Sequence, residues 1–145
     1  MPDPETLIER LGDELATLIR GDTKPVLIGI RTGGLWVAER LARRLQFEEP
    51  VSALDIGFHR DDFAERGLPD QIQPSHIESV LEGRPVVLVD DVIHSGRTIR
   101  AAINALFEYG RPQRIRLAVL VDRGGRELPI QPDHVAASLT LKDAA

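Results

Sequence analysis

Cysteine is absent from the 145 residues, which excludes disulfides and thiolate metal sites. Long apolar runs are also missing, since stretches such as Val26 to Ile30 are far too short to cross a bilayer. The start of the chain, "MPDPETLIER", lacks the basic-then-apolar order of a signal peptide, so we expect a cytoplasmic protein with no membrane partner. Basic residues number 18 against 23 acidic ones, which disfavours a wholly basic nucleic-acid binder but allows a local basic patch.

The composition that is present, 42% hydrophobic and 28% charged, is typical of a soluble domain, and we expect residues 1–145 to form a single one. Apolar runs predict three buried strands, and alternating residues predict a fourth that is covered mainly on one face. Apolar residues at helical spacing predict three helices. Strands joined by helices predict an α/β fold with a mostly parallel central sheet flanked by helices. The predicted strands are 25–31, 52–60, 84–91 and 114–122, and the predicted helices are 4–20, 35–45 and 99–107.

Three of these strands end in polar loops that contain glycine. The loops read "GIRTGG" at 29–34, "DDVIHSGRT" at 90–98 and "DRGGRE" at 122–127. Because parallel strands share one carboxyl edge, we expect the loops to meet there and to form a ligand site. The run at 61–74 has no periodicity and is expected to be a functional lid or a disordered loop.

The loop at 90–98 carries the most chemical information. Ser95, Gly96 and Thr98 directly precede a predicted helix, whose positive end suits a phosphate monoester, and Thr98 is expected to cap that helix. Asp90 and Asp91 can accept hydrogen bonds from sugar hydroxyls or hold a hydrated Mg²⁺. Alone, the two acids could be a turn or capping pair. Together with the helix-start loop, they indicate a 5-phosphoribosyl recognition site.

The stretch "VVLVDDVIHSGRT" resembles the phosphoribosyl-pyrophosphate (PRPP) signature of type I phosphoribosyltransferases. With "YGRPQRIRLAVLVDRGGRELPI" and "HRDDF", the chain is similar to the PyrR family of pyrimidine-operon attenuation regulators and uracil phosphoribosyltransferases, over roughly residues 5–135. The resemblance implies a type I phosphoribosyltransferase fold with a flexible loop at about 59–77 and a small hood. The family usually continues past "AASLTLKDAA" with a polar tail, so we expect the hood over the base to be incomplete.

The resemblance also implies roles for individual residues. Asp90 and Asp91 would contact the ribose hydroxyls, and residues 92–98 would wrap the 5-phosphate. The loop at 31–34 would hold pyrophosphate, although Gly33 stands where many relatives have an arginine. Arg123 would lie beside the nucleotide. The expected substrate-binding residues are Arg31, Thr32, Gly33, Gly34, Asp90, Asp91, Val92, Ile93, His94, Ser95, Gly96, Arg97, Thr98 and Arg123, and the lid candidates are Arg60, Asp61 and Asp62.

The implied reaction converts uracil and PRPP to uridine monophosphate (UMP) and pyrophosphate. Mg²⁺ would enter with PRPP, with Asp90 and Asp91 as the nearest protein oxygens. No general base is assigned, and His94 is interpreted as a positional loop histidine. As a regulator, the protein would respond to UMP and bind pyrimidine-operon leader RNA, as a homodimer or higher homo-oligomer. Two alternatives stay open: transfer to another base such as a purine, and nucleotide sensing without significant turnover.

Overall fold

The protein is described by a computed structural model over residues 2–19, 25–56 and 75–139. Eight helices and strands follow one another along these ranges. They are α1 (Pro4–Ile19), β1 (Val26–Ile30), α2 (Gly33–Arg44), β2 (Ser52–Leu54), β3 (Pro85–Ile93), α3 (Arg97–Leu106), β4 (Arg114–Asp122) and β5 (His134–Ser138). The part of the chain so described contains no helix with the length and apolar character needed to span a membrane.

The five strands form one parallel sheet in the order β2-β1-β3-β4-β5, which confirms the predicted α/β fold. From β1 the chain crosses outward to β2, whereas from β3 it proceeds in the opposite direction to β4 and β5. Because parallel crossovers are right-handed, this reversal puts α2 and α3 on opposite faces of the sheet. The reversal also creates a crevice between β1 and β3, and this is where sheets of this type bind ligands.

Alternate residues of the central strands enter two separate cores. One core lies between the sheet and α1 with α2, and the other lies between the sheet and α3. Burial on both faces explains why the central strands are continuous apolar runs in the sequence. The first core receives Leu27, Val87, Val89, Ala118 and Leu120 from the sheet, and the second receives Val26, Ile28, Ile30, Leu54, Val86, Leu88, Ile93, Leu117 and Val119.

The edge strands differ most from expectation. β2 ends at Leu54, although alternation predicts a strand over 52–60, and its three residues are buried on both faces. Its outer edge is covered because Ala53 and His76 exchange backbone hydrogen bonds of 2.9 and 2.7 Å. Residues 57–60 of the predicted strand lie outside the described ranges, as does residue 20 of the first predicted helix. At the other edge, β5 was not predicted at all, because it has no run of large apolar residues and none of its residues is fully buried.

We expect the Glu49–Arg84 ion pair to contribute to stability in a pH-dependent way. Two 2.8 Å hydrogen bonds join the two side chains, and the guanidinium lowers the pKa of Glu49 to about 2. Because both groups are about one-third exposed, we expect Glu49→Gln to lower the free energy of unfolding by only about 1 kcal/mol at pH 7. A carboxylate with a depressed pKa stabilises the fold above its unfolded pKa, so the difference should shrink as the pH falls from about 4.5 towards 2.

Urea unfolding of both proteins between pH 7 and pH 3 measures this difference. The matched control is Glu5→Gln, which removes a single 3.2 Å contact between Arg40 and a 72% exposed carboxylate. It should change stability by less than about 0.5 kcal/mol. A Glu49→Gln effect that stayed constant across this pH range would contradict the assignment.

Candidate functional site

The connection from β1 to α2 is very short. Leu54 of β2 accepts a 2.9 Å hydrogen bond from the backbone N–H of Arg31, which fixes the end of β1, and Thr32 then precedes the helix. The Thr32 side chain makes no capping hydrogen bond, so it does not cover the first N–H groups of α2. Gly33 and Gly34 form the first turn of α2, whereas the sequence placed them in a loop before the helix. The positive end of α2 therefore lies directly at the carboxyl edge of the sheet.

Two glycines let α2 approach β3 closely. A Cβ atom on Gly34 would collide with the carbonyl oxygen of Val89 and lie 3.0 Å from the Cα of Asp90. A Cβ atom on Gly33 would overlap the carboxylate of Asp91. The space above Gly33 is thus occupied by a carboxylate of this chain.

Asp90 and Asp91 belong to β3 itself, which extends two residues past its predicted end. Asp90 is 7% exposed, and its carboxylate accepts a 2.8 Å hydrogen bond from the N–H of Asp91. The carboxylate of Asp91 accepts an equivalent 2.8 Å bond from the N–H of Val92. Both carboxylates lie beside the first turn of α2, close to Gly33 and Gly34. Two fixed negative charges therefore face the crevice between β1 and β3.

After β3, a tight turn leads into α3. Gly96 occupies the N-cap position with φ 95°, a left-handed conformation that residues with a Cβ rarely adopt. The hydroxyl of the buried Ser95 accepts a 3.1 Å hydrogen bond from the N–H of Arg97. Thr98 lies within the first helical turn, so the prediction that it caps α3 is wrong. The sequence places the helix start correctly but assigns the cap to a residue two positions late.

A cavity of about 180 Å³ opens at this turn. It combines the β3–α3 turn with Arg123, whose N–H donates a 2.9 Å hydrogen bond to the carbonyl of Ile93. Pockets for whole drug-sized ligands usually exceed about 300 Å³, so this cavity matches one group of a larger ligand. We call it the turn pocket. Its lining residues are Val92, Ile93, His94, Ser95, Gly96, Thr98, Ile99 and Arg123.

Other predicted site residues lie elsewhere. The loop at 31–34 borders the two acids instead of the turn pocket. The guanidinium of Arg97 forms a 2.7 Å ion pair with the carboxylate of Glu127. Arg123 is exposed and makes no ion pair within the described ranges. The lid candidates Arg60, Asp61 and Asp62 lie outside the described residues, as do residues 59–74 of the predicted flexible loop.

A larger cavity of about 440 Å³ lies between α1 and α2. Its walls are three arginines from the C-terminal half of α2 and two acids of α1. Two of these arginines pair with the acids, Arg40 with Glu5 and Arg44 with Glu9. It is distant from the start of α2 and from the strand ends. The lining residues are Glu5, Ile8, Glu9, Arg40, Arg43 and Arg44.

The sequence did not single out an ion pair that supports the turn pocket. Asp122 ends β4, and both of its carboxylate oxygens accept hydrogen bonds from Arg126, at 2.9 and 2.7 Å. These bonds, helped by the N–H of Gly124, hold the pKa of Asp122 below its ordinary value. In the sequence, this pair is visible only as an Asp and an Arg four residues apart, with two consecutive glycines between them. That pattern by itself predicts a turn and no ion pair.

Mg²⁺ is the metal ion that this arrangement could accommodate. Within the described ranges there is no cluster of three or more His, Cys, Asp or Glu side chains that could enclose an ion. Two adjacent carboxylates at the crevice do supply the hard oxygen donors that Mg²⁺ prefers, and this ion commonly binds through one or two carboxylates plus substrate oxygens. The residues therefore fit a substrate-held Mg²⁺ and do not fit a protein cage.

Comparison with known proteins identifies the class. Residues 5–140 match the phosphoribosyl transferase domain, and the chain belongs to this family. The purine phosphoribosyltransferase from Pyrococcus horikoshii Ot3 superposes with a TM-score of 0.68 and 28% identity, over 92% of this chain and 83% of that one. A hypoxanthine-guanine phosphoribosyltransferase from Bacillus anthracis superposes with a TM-score of 0.73 and 20% identity, over 97% and 83%. The predicted type I phosphoribosyltransferase fold is confirmed.

Sequence relatives narrow this class further. The "Bifunctional protein PyrR" of Pseudomonas aeruginosa strain LESB58 is 48% identical over 97% of this chain and 84% of its own length. The protein of the same name from Pseudomonas entomophila strain L48 is 49% identical over 97% and 83%. The chain is therefore a member of the PyrR family, as its motifs predict.

The close approach of α2 to the acids can be tested with Gly34→Ala. The added methyl group would collide with backbone atoms of β3, so the start of α2 must move away from Asp90. We expect at least a tenfold loss of affinity for PRPP, measured by calorimetry in the presence of Mg²⁺. A suitable control is Gly12→Ala in α1, where the methyl group would meet only the flexible side chain of Arg44. Equal PRPP affinity in the two variants would show that this contact does not shape the site.

Proposed function

We propose that the protein is a uracil phosphoribosyltransferase that also regulates pyrimidine-operon expression in response to UMP. One observation supports the phosphoribosyl part above all: two carboxylates and a helix-start pocket lie at the same end of β3. A sugar phosphate needs both, since its phosphate requires N–H donors and its hydroxyls require acceptors. Membership of the PyrR family supports the choice of uracil and the regulatory activity.

Each part of the site has a proposed role. The turn pocket binds the 5-phosphate through residues 92–98, and Asp90 with Asp91 accepts hydrogen bonds from the ribose hydroxyls. The start of α2, with the loop at 31–34, holds the pyrophosphate. Arg123 lies at the outer rim of the turn pocket, beside the bound nucleotide. Arg60, Asp61 and Asp62 stay a prediction for closure over PRPP.

The reaction breaks the bond between ribose C1 and pyrophosphate, forms a bond from C1 to uracil N1, and releases the N1 proton to solvent or to the departing pyrophosphate. Positive charge develops on the ribose ring as the leaving group departs, and the two carboxylates of β3 stabilise it electrostatically. The positive end of α2 stabilises the charge on the departing pyrophosphate. Bound Mg²⁺ would neutralise further pyrophosphate charge. Positioning both reactants on one rigid edge supplies much of the remaining acceleration. No general base is assigned.

The acids should be essential for turnover. We expect Asp90→Asn and Asp91→Asn each to lower the rate of UMP formation from uracil, PRPP and Mg²⁺ by about 100-fold or more, because each removes a charge opposite the developing cation. Asp13→Asn is the control, since this exposed acid of α1 contacts only Arg44 at 3.2 Å among the ion pairs of the described ranges.

The same assay, run with hypoxanthine and guanine in place of uracil, decides the base. Product from uracil alone supports the proposal. Product from a purine alone would reassign the enzyme to purines. A wild-type protein that binds UMP but forms no product with any base would be a nucleotide sensor without catalytic activity.

The regulatory activity predicts coupling between UMP and RNA. We expect UMP to raise the affinity for a pyrimidine-operon leader RNA by about 5- to 150-fold, the usual range for linked sites. Binding should weaken steeply with salt, because RNA binding releases counterions. Filter binding with and without UMP measures both effects, with adenosine monophosphate and an unrelated RNA of equal length as controls. An RNA affinity that UMP does not change would rule out this part of the proposal. Sedimentation of the same samples tests the predicted homo-oligomer.

A further inference from the structure

Three consecutive carbonyl groups, at the end of β3 and in the turn after it, bond to one neighbouring segment. The carbonyl of Ile93 accepts a 2.9 Å bond from the N–H of Arg123, and that of Ser95 accepts bonds from the N–H groups of Glu127 and Leu128 at 2.9 and 3.2 Å. Between them, the carbonyl of His94 accepts a 3.0 Å bond from the guanidinium of Arg126. Segment 123–128 therefore fixes three consecutive peptide groups of the turn.

This arrangement decides where the N–H groups of the turn point. In a trans peptide, the carbonyl and the following N–H point in opposite directions, and the peptides of this turn are trans. With the three carbonyls held by segment 123–128, the N–H groups of His94, Ser95 and Gly96 are directed away from it. Successive N–H groups directed to one side form an anion-binding concavity, which the first turn of α3 extends.

Arg126 is the one residue in this set that acts through its side chain. Its Nε donates to the carbonyl of Ile130 at 2.7 Å, and its Nη atoms donate to Asp122, His94 and Gln131 at 2.7 to 3.0 Å. These are five hydrogen bonds for the five N–H donors of a guanidinium. The side chain is 14% exposed. With its donors used and its surface covered, Arg126 is built to hold protein groups in place.

We propose that Arg126, oriented by Asp122, is a positioning residue that presets the turn pocket for a phosphate monoester. The inference rests on the proposed function, because it assigns the 5-phosphate of the nucleotide to this pocket. Asp122 holds the guanidinium through both oxygens, and Arg126 in turn holds the carbonyl of His94. Backbone hydrogen bonds fix the carbonyls of Ile93 and Ser95 on either side, but only the Arg126 side chain fixes the carbonyl of His94 between them. A lysine cannot replace this set, because a single ammonium lacks the planar fork that bonds Asp122 and His94 together.

The test compares UMP with uridine, which differ only by the phosphate. Calorimetric titration of each ligand gives the ratio of the two dissociation constants, and this ratio reports the contribution of the phosphate alone. We expect Arg126→Lys to reduce the ratio by about tenfold or more while changing uridine affinity less than threefold. The control is Arg84→Lys, which alters another doubly bonded ion pair, with Glu49, at the opposite end of β3. It should leave the ratio within twofold of wild type.

The outcomes separate this inference from the proposed function. Wild-type protein that binds UMP no better than uridine would refute the phosphate assignment and the proposed function with it. A strong wild-type preference for UMP that Arg126→Lys retains would overturn only the role of Arg126, even if the variant unfolds at lower temperature. Should Arg126→Lys fail to fold, the same ratio is measured for Asp122→Asn, which keeps the guanidinium of Arg126 but removes the carboxylate charge that orients it. A lowered ratio in Asp122→Asn supports the inference, and an unchanged ratio overturns it.

Discussion

The close contact between the first turn of α2 and the carboxyl end of β3 is the constraint on which the site depends. Glycine at position 34 leaves no side chain between the helix and the backbone of Val89 and Asp90. A helix start and two carboxylates are thereby brought within a few ångströms, across the crevice where the sheet order reverses. Opposite partial charges face each other there, so a ligand that carries both a polyanion and a hydroxylated sugar finds complementary groups side by side.

The central part of the fold could be predicted because its strands are buried on both faces. β4 has the predicted bounds, and β1 and β3 differ from prediction by one or two residues at each end, since an uninterrupted apolar run marks such strands directly. β2 and β5 were predicted poorly because they lie at the sheet edges. There the length of a strand depends on which backbone segment lies beside it, and His76 beside Ala53 is a contact that no local pattern encodes.

In the candidate site, too, some residues could be predicted from local sequence patterns and others could not. Asp90, Asp91 and residues 92–98 could be predicted as site candidates because strand ends and helix starts are visible in the sequence, and the parallel sheet brings them to one edge. Arg126 was missed for a physical reason. Its partners include the carbonyls of His94 and Ile130, and backbone groups have no identity that a sequence pattern can show. The supporting residues of a pocket are therefore harder to predict than the residues that line it.

The segment beside β2 has a further consequence for behaviour at high concentration. An exposed outer strand offers unpaired N–H and C=O groups on which another chain can build, and this is a common route to aggregation and domain swapping. Here Ala53 is paired on that side with His76, and the hydroxyl of Ser52 accepts a 3.1 Å bond from the N–H of Glu78. This margin of the sheet is closed by the chain itself, so recruitment of a foreign strand at β2 would first require this segment to be displaced.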